Sequence, residues 1–213
     1  MVKIPDGILG ALIGKIGPVS GYRRNGENIL RTAHSRGIIK ATPARTAQRE
    51  KIKVCNEFTK AFAGTGFFNR TFPAHGSRGT GYNRATGAIM NLAVTGNTSG
   101  ITLNYNAVLI SKGILPPAST AAASATTEGN IYFEWNDNSG NGTAKPNDKA
   151  ILVAYFIGIN EAIFSIGEAT RRQEHAFLRS ESMKGLTAET WIGFLSNDEK
   201  YASNSAYTGR VNL

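Results

Sequence analysis

Residues 130–137 read NIYFEWND, and the alternation within them decides the fold class. Ile131, Phe133 and Trp135 fall on one side of an extended chain, and Tyr132, Glu134 and Asn136 on the other. That is the two-residue period of a strand with one buried face. The loop DNSGNGTAKPND (137–148) is rich in turn formers, and KAILVAYFIG (149–158) is a continuous apolar run of strand length. INEAIFSIGEAT (159–170), RRQEHAFLRS (171–180), LTAETWIGFLS (186–196) and KYASNSAYTGRV (200–211) read as four more strands. Short strands punctuated by turn residues at this spacing predict a β-sandwich or barrel over 117–213. Trp135 and Trp191 each lie in an alternating strand beside other apolar residues, so both are assigned to the sandwich core rather than to a ligand platform.

Working back toward the N-terminus, Pro116 and Pro117 precede the low-complexity STAAASATT (119–127). ITLNYNAVLI (101–110) alternates at Ile101, Leu103 and Tyr105 and predicts a strand. Ala85, Ile89, Leu92 and Ala93 predict a short helix over 83–94, and the glycines and proline of 64–82 predict irregular chain. Thr42 and Pro43 start a helix over 43–63, with Ile52, Cys55, Phe58 and Phe62 at helical spacing and Gly64 at its end. Residues 42–116 are thus a helix-containing connecting region.

Residues 1–41 have a different texture. Gly7, Gly10, Gly14, Gly17 and Gly21 disfavour a helix, each by about 1 kcal/mol relative to alanine. VSGYRR and ENILRT flank Asn25-Gly26, the dipeptide of a type I′ turn, and predict a β-hairpin over 18–32. The whole chain is therefore mainly β, α+β overall: a glycine-rich arm with a hairpin, a helix, then an immunoglobulin-like sandwich.

Charge follows the same division. Residues 1–53 hold 11 Lys/Arg against 3 Asp/Glu, whereas 54–213 hold 13 against 12. A basic arm on a near-neutral body points to an acidic partner, a nucleic acid, a negative protein surface or a membrane, against the plainer reading of a solvated arm that keeps the protein soluble. The candidate contacts are Arg23, Arg24, Arg31, Arg36, Lys40, Arg45 and Arg49. Tyr22 is the only aromatic among them, so base stacking is disfavoured and phosphate contact is left open.

No catalytic constellation stands out, and no cofactor or metal is expected. GALIGKI (10–16) lacks the spacing of a phosphate loop and has Ile16 where Ser or Thr would hold magnesium. Ser165, Ser180, Ser196 and Ser205 have only His175 near them in sequence. Glu168, Glu174 and Glu181 read as solvated charges, and Asp137 and Asp148 as parts of a polar turn without the acidic spacing of an EF-hand. The histidines, His34, His75 and His175, are scattered, and Cys55 is the single cysteine, so no intrachain disulfide forms. The run ILVAYFIGI (151–159) is too short to span a bilayer as a helix. ILGALIG (8–14) is too short and too poorly flanked for a secretory signal.

Five stretches carry a resemblance: GILGALIGKIGPVSG (7–21), PARTAQREK (43–51), VLISKGILP (108–116), FEWNDNSGNGTAKPNDKAILVAY (133–155) and SNSAYTG (203–209). In order and spacing they resemble a family of Bacteroidota proteins, domain of unknown function 6266. The chain departs from it before the helix, where Thr42-Pro43-Ala44-Arg45-Thr46 stands in place of Asn-Pro-Arg-Thr. The resemblance brings no activity and no site residues. The C-terminal part is also similar to fibronectin type III domains, with Trp135 as the core tryptophan of the second strand and TWIGFLSNDEKYASNSAY as the last two strands. The helix after a basic hairpin resembles a segment of phage structural proteins.

The expected function is a non-enzymatic structural protein that self-associates through its N-terminal arm, as a component of a virion or phage-like particle. It would then sit in the virion if phage-encoded, and otherwise in the bacterial cytoplasm. The alternatives are a fibronectin-type binding module for a bacterial protein or glycan, and a sequence-independent nucleic-acid binder.

Overall fold

The structure is a computed structural model that describes residues 2–4, 11–32, 42–74, 76, 79–96 and 100–213. It forms two compact units, Met1–Thr42 and Pro43–Leu213.

The first unit is one antiparallel sheet. Its strands are β1 (Val2–Ile4), β2 (Gly14–Ile16), β3 (Val19–Arg24) and β4 (Glu27–Thr32), in the order β1-β4-β3-β2. Asn25 and Gly26 both take positive φ, 52° and 81°, so the Asn-Gly turn closes the hairpin that the sequence predicts. Gly21 is needed for a different reason. A Cβ there would collide with the carbonyl oxygen of Leu12, which crosses the sheet at that point.

The second unit opens with helix α1 (Pro43–Lys60), followed by turns through Gly64. Helix α2 (Phe67–Thr71) occupies part of the stretch expected to be irregular. Five residues between Gly66 and Phe72 are too few for a periodic signal, but the Phe-rich segment has a core to bury itself in. Helix α3 (Gly81–Leu92) begins at Thr80, whose hydroxyl accepts a hydrogen bond from Asn83 N at 3.2 Å. A second correction concerns 101–110. Only a two-residue ladder forms there, β5 (Val94–Thr95) with β6 (Thr102–Leu103), and the chain then turns into a 3-10 helix at Tyr105–Ala107. Asn104 and Asn106 keep to the polar phase, so the alternation runs on past the last paired residue, while the Tyr105 carbonyl accepts Trp191 Nε1 at 3.3 Å.

Seven strands complete the unit: β7 (Ser119–Ala125), β8 (Ile131–Asn136), β9 (Lys149–Phe156), β10 (Glu161–Thr170), β11 (His175–Leu178), β12 (Thr187–Leu195) and β13 (Ala206–Asn212). They pair antiparallel as β11-β8-β7 and β10-β9-β12-β13. This three-on-four sandwich has an immunoglobulin-like strand order, as the sequence predicts. Ile131, Phe133 and Trp135 of β8 meet Leu152, Phe156, Ile192 and Phe194 of the facing sheet. The other face of that sheet is covered as well. Ile151, Val153, Tyr155, Trp191 and Leu195 pack against Phe58, Phe62, Phe67, Phe68 and Ile89 of the three helices and their connections. The unit therefore has three layers, and β9 reads as one apolar run because both of its faces are buried.

This layering corrects one assignment. Trp135, 2% exposed, lies inside the sandwich, but Trp191, 0% exposed, lies on the opposite face of its sheet under the helices. Its ring meets those of Phe58, Tyr105 and Tyr207. Alternation cannot say which face looks at which layer when both faces are apolar.

Candidate functional site

Three of the stretches behind the family resemblance, 108–116, 133–155 and 203–209, come together as a scaffold. Residues 108–116 run alongside 202–205. Ile110 N donates to Ser205 Oγ at 3.0 Å, Ser205 N to Ser111 O at 3.1 Å, and Leu115 N to Ala202 O at 3.0 Å. At the nearby end of the sandwich Arg171, fully buried, donates to Asp148 Oδ2 at 3.2 Å, to Pro116 O at 3.1 Å and to Asn138 Oδ1. Its guanidinium lies 3.8 Å from the centre of the Phe194 ring, and its carbonyl accepts Trp135 Nε1 at 2.7 Å. Burial lowers the Arg171 pKa and the Asp148 carboxylate opposes that; their ion pair is a buried clamp on the linker, the 137–148 loop and the end of β10. Asp148 is thus committed to Arg171. Asp137 accepts Ser139 N and Ser139 Oγ at 2.8 and 3.0 Å, the polar-turn role expected of it.

The serines weighed as nucleophiles are separated. Ser180 Oγ donates to Gly129 O at 2.8 Å, Ser196 Oγ to Asp198 Oδ1 at 2.7 Å, and Ser205 Oγ accepts from Ile110 N. His175 stands on the outer face of the three-stranded sheet. Among the described residues no three His, Cys, Asp or Glu side chains gather as a metal centre, and no helix is long and apolar enough to cross a membrane. Cys55 is buried, and desolvation raises its thiol pKa to about 11, which makes it a poor nucleophile.

The arginines of the arm do not converge. Register places Ser20 opposite Arg31 and Tyr22 opposite Ile29, so Tyr22, Arg24 and Arg31 share one face of the hairpin and Arg23 takes the other. Arg31 lies over the Tyr22 ring at 5.5 Å, and Arg23 Nε donates to Gly26 O at 3.3 Å in its own turn. Arg45 and Arg49 belong to the exposed first half of α1 in the second unit. Arg36 and Lys40 lie outside the described residues.

One concave polar feature is built by the sandwich. A depression of about 380 Å³ on the outer face of the three-stranded sheet is lined by Tyr132, Glu134, Asn136, Glu174, His175 and Thr120, among others. Tyr132, Glu134 and Asn136 are the outward residues of β8, alternating with its buried ones. Pairing of β11 with β8 sets His175 beside Glu134 and Phe177 beside Tyr132. Glu174 enters with φ +62°, its carbonyl accepting Trp135 N and its Oε1 accepting Asp137 N, both at 2.9 Å. Thr120 sits at a β-bulge with φ +52°, strained for a β-branched residue, and accepts Asn136 Nδ2 at 3.3 Å. The sequence singles out His175 and Glu174 for other reasons and misses Tyr132, Glu134 and Thr120. The outward phase of β8 was a usable signal, but which strand lies beside it was not.

The architecture defines an immunoglobulin-like β-sandwich protein with a helical layer on one face. The sequence profile of the family of unknown function DUF6266 matches residues 11–209, and the chain belongs to that family. No curated protein matches it. Among solved structures, the FN1–FN3 domains of chicken CNTN1 match at 12% identity with a TM-score of 0.38, over 47% of this chain and 34% of that one. The chain thus spans about a third of that structure's length. The sandwich assignment rests on the strand order above.

Proposed function

We propose that this protein is a structural subunit that self-associates through its N-terminal arm into a larger particle. One observation carries the reading: among its described residues the arm is a sheet without a core. Among its described side chains only Gly21, Asn28 and Ile29 are buried, whereas Ile13 and Ile16 are 73% and 63% exposed. Its outer strands, β1 and β2, each have one unpaired edge within that sheet. A four-stranded sheet of three- and six-residue strands needs a second surface to become stable, and open edges with exposed aliphatics are how chains add to one another. The virion or phage-like character of the particle is carried forward from the sequence.

Light scattering on the full-length protein across a concentration series tests the proposal. We expect a mass above that of one chain that falls on substituting Ile13 and Ile16 with serine. A strict monomer at high concentration would overturn it.

The depression on the three-stranded sheet favours a second reading, a binding module for a protein or glycan, because it combines carboxylates with aromatic rings in a concavity. A nucleic-acid role gains less, since the hairpin divides its arginines between two faces. If it holds, DNA affinity falls steeply with added salt.

A further inference from the structure

We propose that the depression on the outer face of the three-stranded sheet receives the basic hairpin of a second copy of this chain, with Arg24 and Arg31 of one copy meeting Glu134 and Glu174 of the next. The inference rests on the self-association reading and names the surface that the arm would find.

Charge complementarity is the first argument. Two carboxylates line the depression, and no lysine or arginine is among its lining residues. Residues 1–42 carry seven Lys/Arg and two Asp/Glu, so the arm offers the opposite sign. Opposed patches of this kind steer encounter and fix register.

Chemical fit is the second. A guanidinium takes carboxylates through paired N–H donors and also lies flat on aromatic rings. The depression presents both partners. Tyr132 has His175 at 6.2 Å and Phe177 at 5.1 Å between ring centres, and Phe177 is 53% exposed beside it. A volume of about 380 Å³ is small for a folded element, so the hairpin enters by its side chains and rests its backbone on the rim. Arg24 stands beside the turn and Arg31 is already stacked on Tyr22, on the same face of the hairpin. That face therefore brings its own aromatic to a surface of aromatics.

Occupant and receptor are different patches of one molecule. The contact is either reciprocated in a two-fold dimer or repeated from copy to copy into a ring or filament.

Two full-length variants test this by complementation. R24E/R31E has a broken hairpin and an intact depression; E134K/E174K has the reverse. All four positions are exposed, and circular dichroism checks the fold of each. Each variant alone is expected to lose association at least tenfold relative to wild type, and an equimolar mixture to recover association in sedimentation velocity. If E134K/E174K perturbs the fold, E134Q/E174Q replaces it, with a smaller loss expected.

Wild-type association unchanged in both variants would sink this inference and leave the assembly reading standing on another surface. A monomeric wild type would sink both. A mixture that stays monomeric would also overturn the inference. So would a neutral oligosaccharide that binds wild type and not E134K/E174K while association is unaltered.

Discussion

Strand β9 in the body and strand β3 in the arm are both interior strands of four-stranded antiparallel sheets, yet their surroundings differ almost completely. Every residue of β9 after Lys149 is buried, between the helices on one side and the second sheet on the other. In β3 only Gly21 is buried, under a single crossing of its own chain at Leu12. Backbone pairing is comparable in kind, so the difference lies in apolar area removed from water, which is worth about 25 cal/mol per Å². Hydrogen-bonded ladders alone stabilise little, because water offers the same bonds to the unfolded chain. The body stands on its two cores, and the described residues of the arm have the geometry of a sheet without the burial that holds one.

The strongest way to break this comparison is to truncate the body at its shared core. Trp191→Ala is expected to cost about 3–5 kcal/mol in denaturant unfolding, the range for large aromatic truncations. Ile29→Ala in the arm should leave that body transition unchanged. An equal effect from the two would show that the arm shares the body's core after all. Arg171→Ala comes next, at about 3 kcal/mol, because it strands the Asp148 carboxylate in a buried site and releases the linker at Pro116. A loss below about 1 kcal/mol would mean that solvent reaches the clamp.

A third change tests strain within the body. Thr120→Gly should raise stability by about 1 kcal/mol, by relieving a left-handed β-branched residue against the extra chain entropy of glycine. Destabilisation would show that the bond from Asn136 outweighs the strain.

The smallest effect concerns pH. Glu199 accepts Arg70 Nε and Nη2 at 2.8 Å and Lys149 Nζ at 2.7 Å, joining α2 to the sandwich, and these bonds lower its pKa to about 2. A depressed carboxylate contributes stability above its unfolded pKa, near 4.3, and loses it as pH falls toward 2. The pair is solvent-screened, so the gain is modest. Melting temperatures of wild type and Glu199→Gln should differ slightly at pH 6 and converge near pH 2. A gap that persists at pH 2 would assign the effect to something other than ionisation.

These contrasts also explain what could be read from the chain. The alternation of Ile131, Phe133 and Trp135 gave β8 because one face of that strand is solvated. The Asn25-Gly26 pair gave the hairpin because its backbone demand is local. Burial on both sides hid the facing of Trp191, since no polar residue marks a phase in Trp191–Leu195. The turn at Tyr105 was hidden because Asn104 and Asn106 fall on the polar phase and carry the alternation through it. The depression was the least legible feature. It depends on β11 lying beside β8, a long-range pairing across the whole of β9 and β10, which no local period encodes.

Helix α1 has a consequence of a different sort. It begins at Pro43, where the second unit starts, but its first buried side chain is Cys55. Twelve residues of mostly exposed helix span roughly 18 Å at 1.5 Å per residue. Within the second unit that part of α1 is therefore a rod of set length and set phase. Inserting one residue into 43–54 would lengthen that rod by about 1.5 Å and swing its origin by about 100° about the helix axis. The position of Pro43 relative to Cys55 is thus written in a count of helical residues, adjustable in steps.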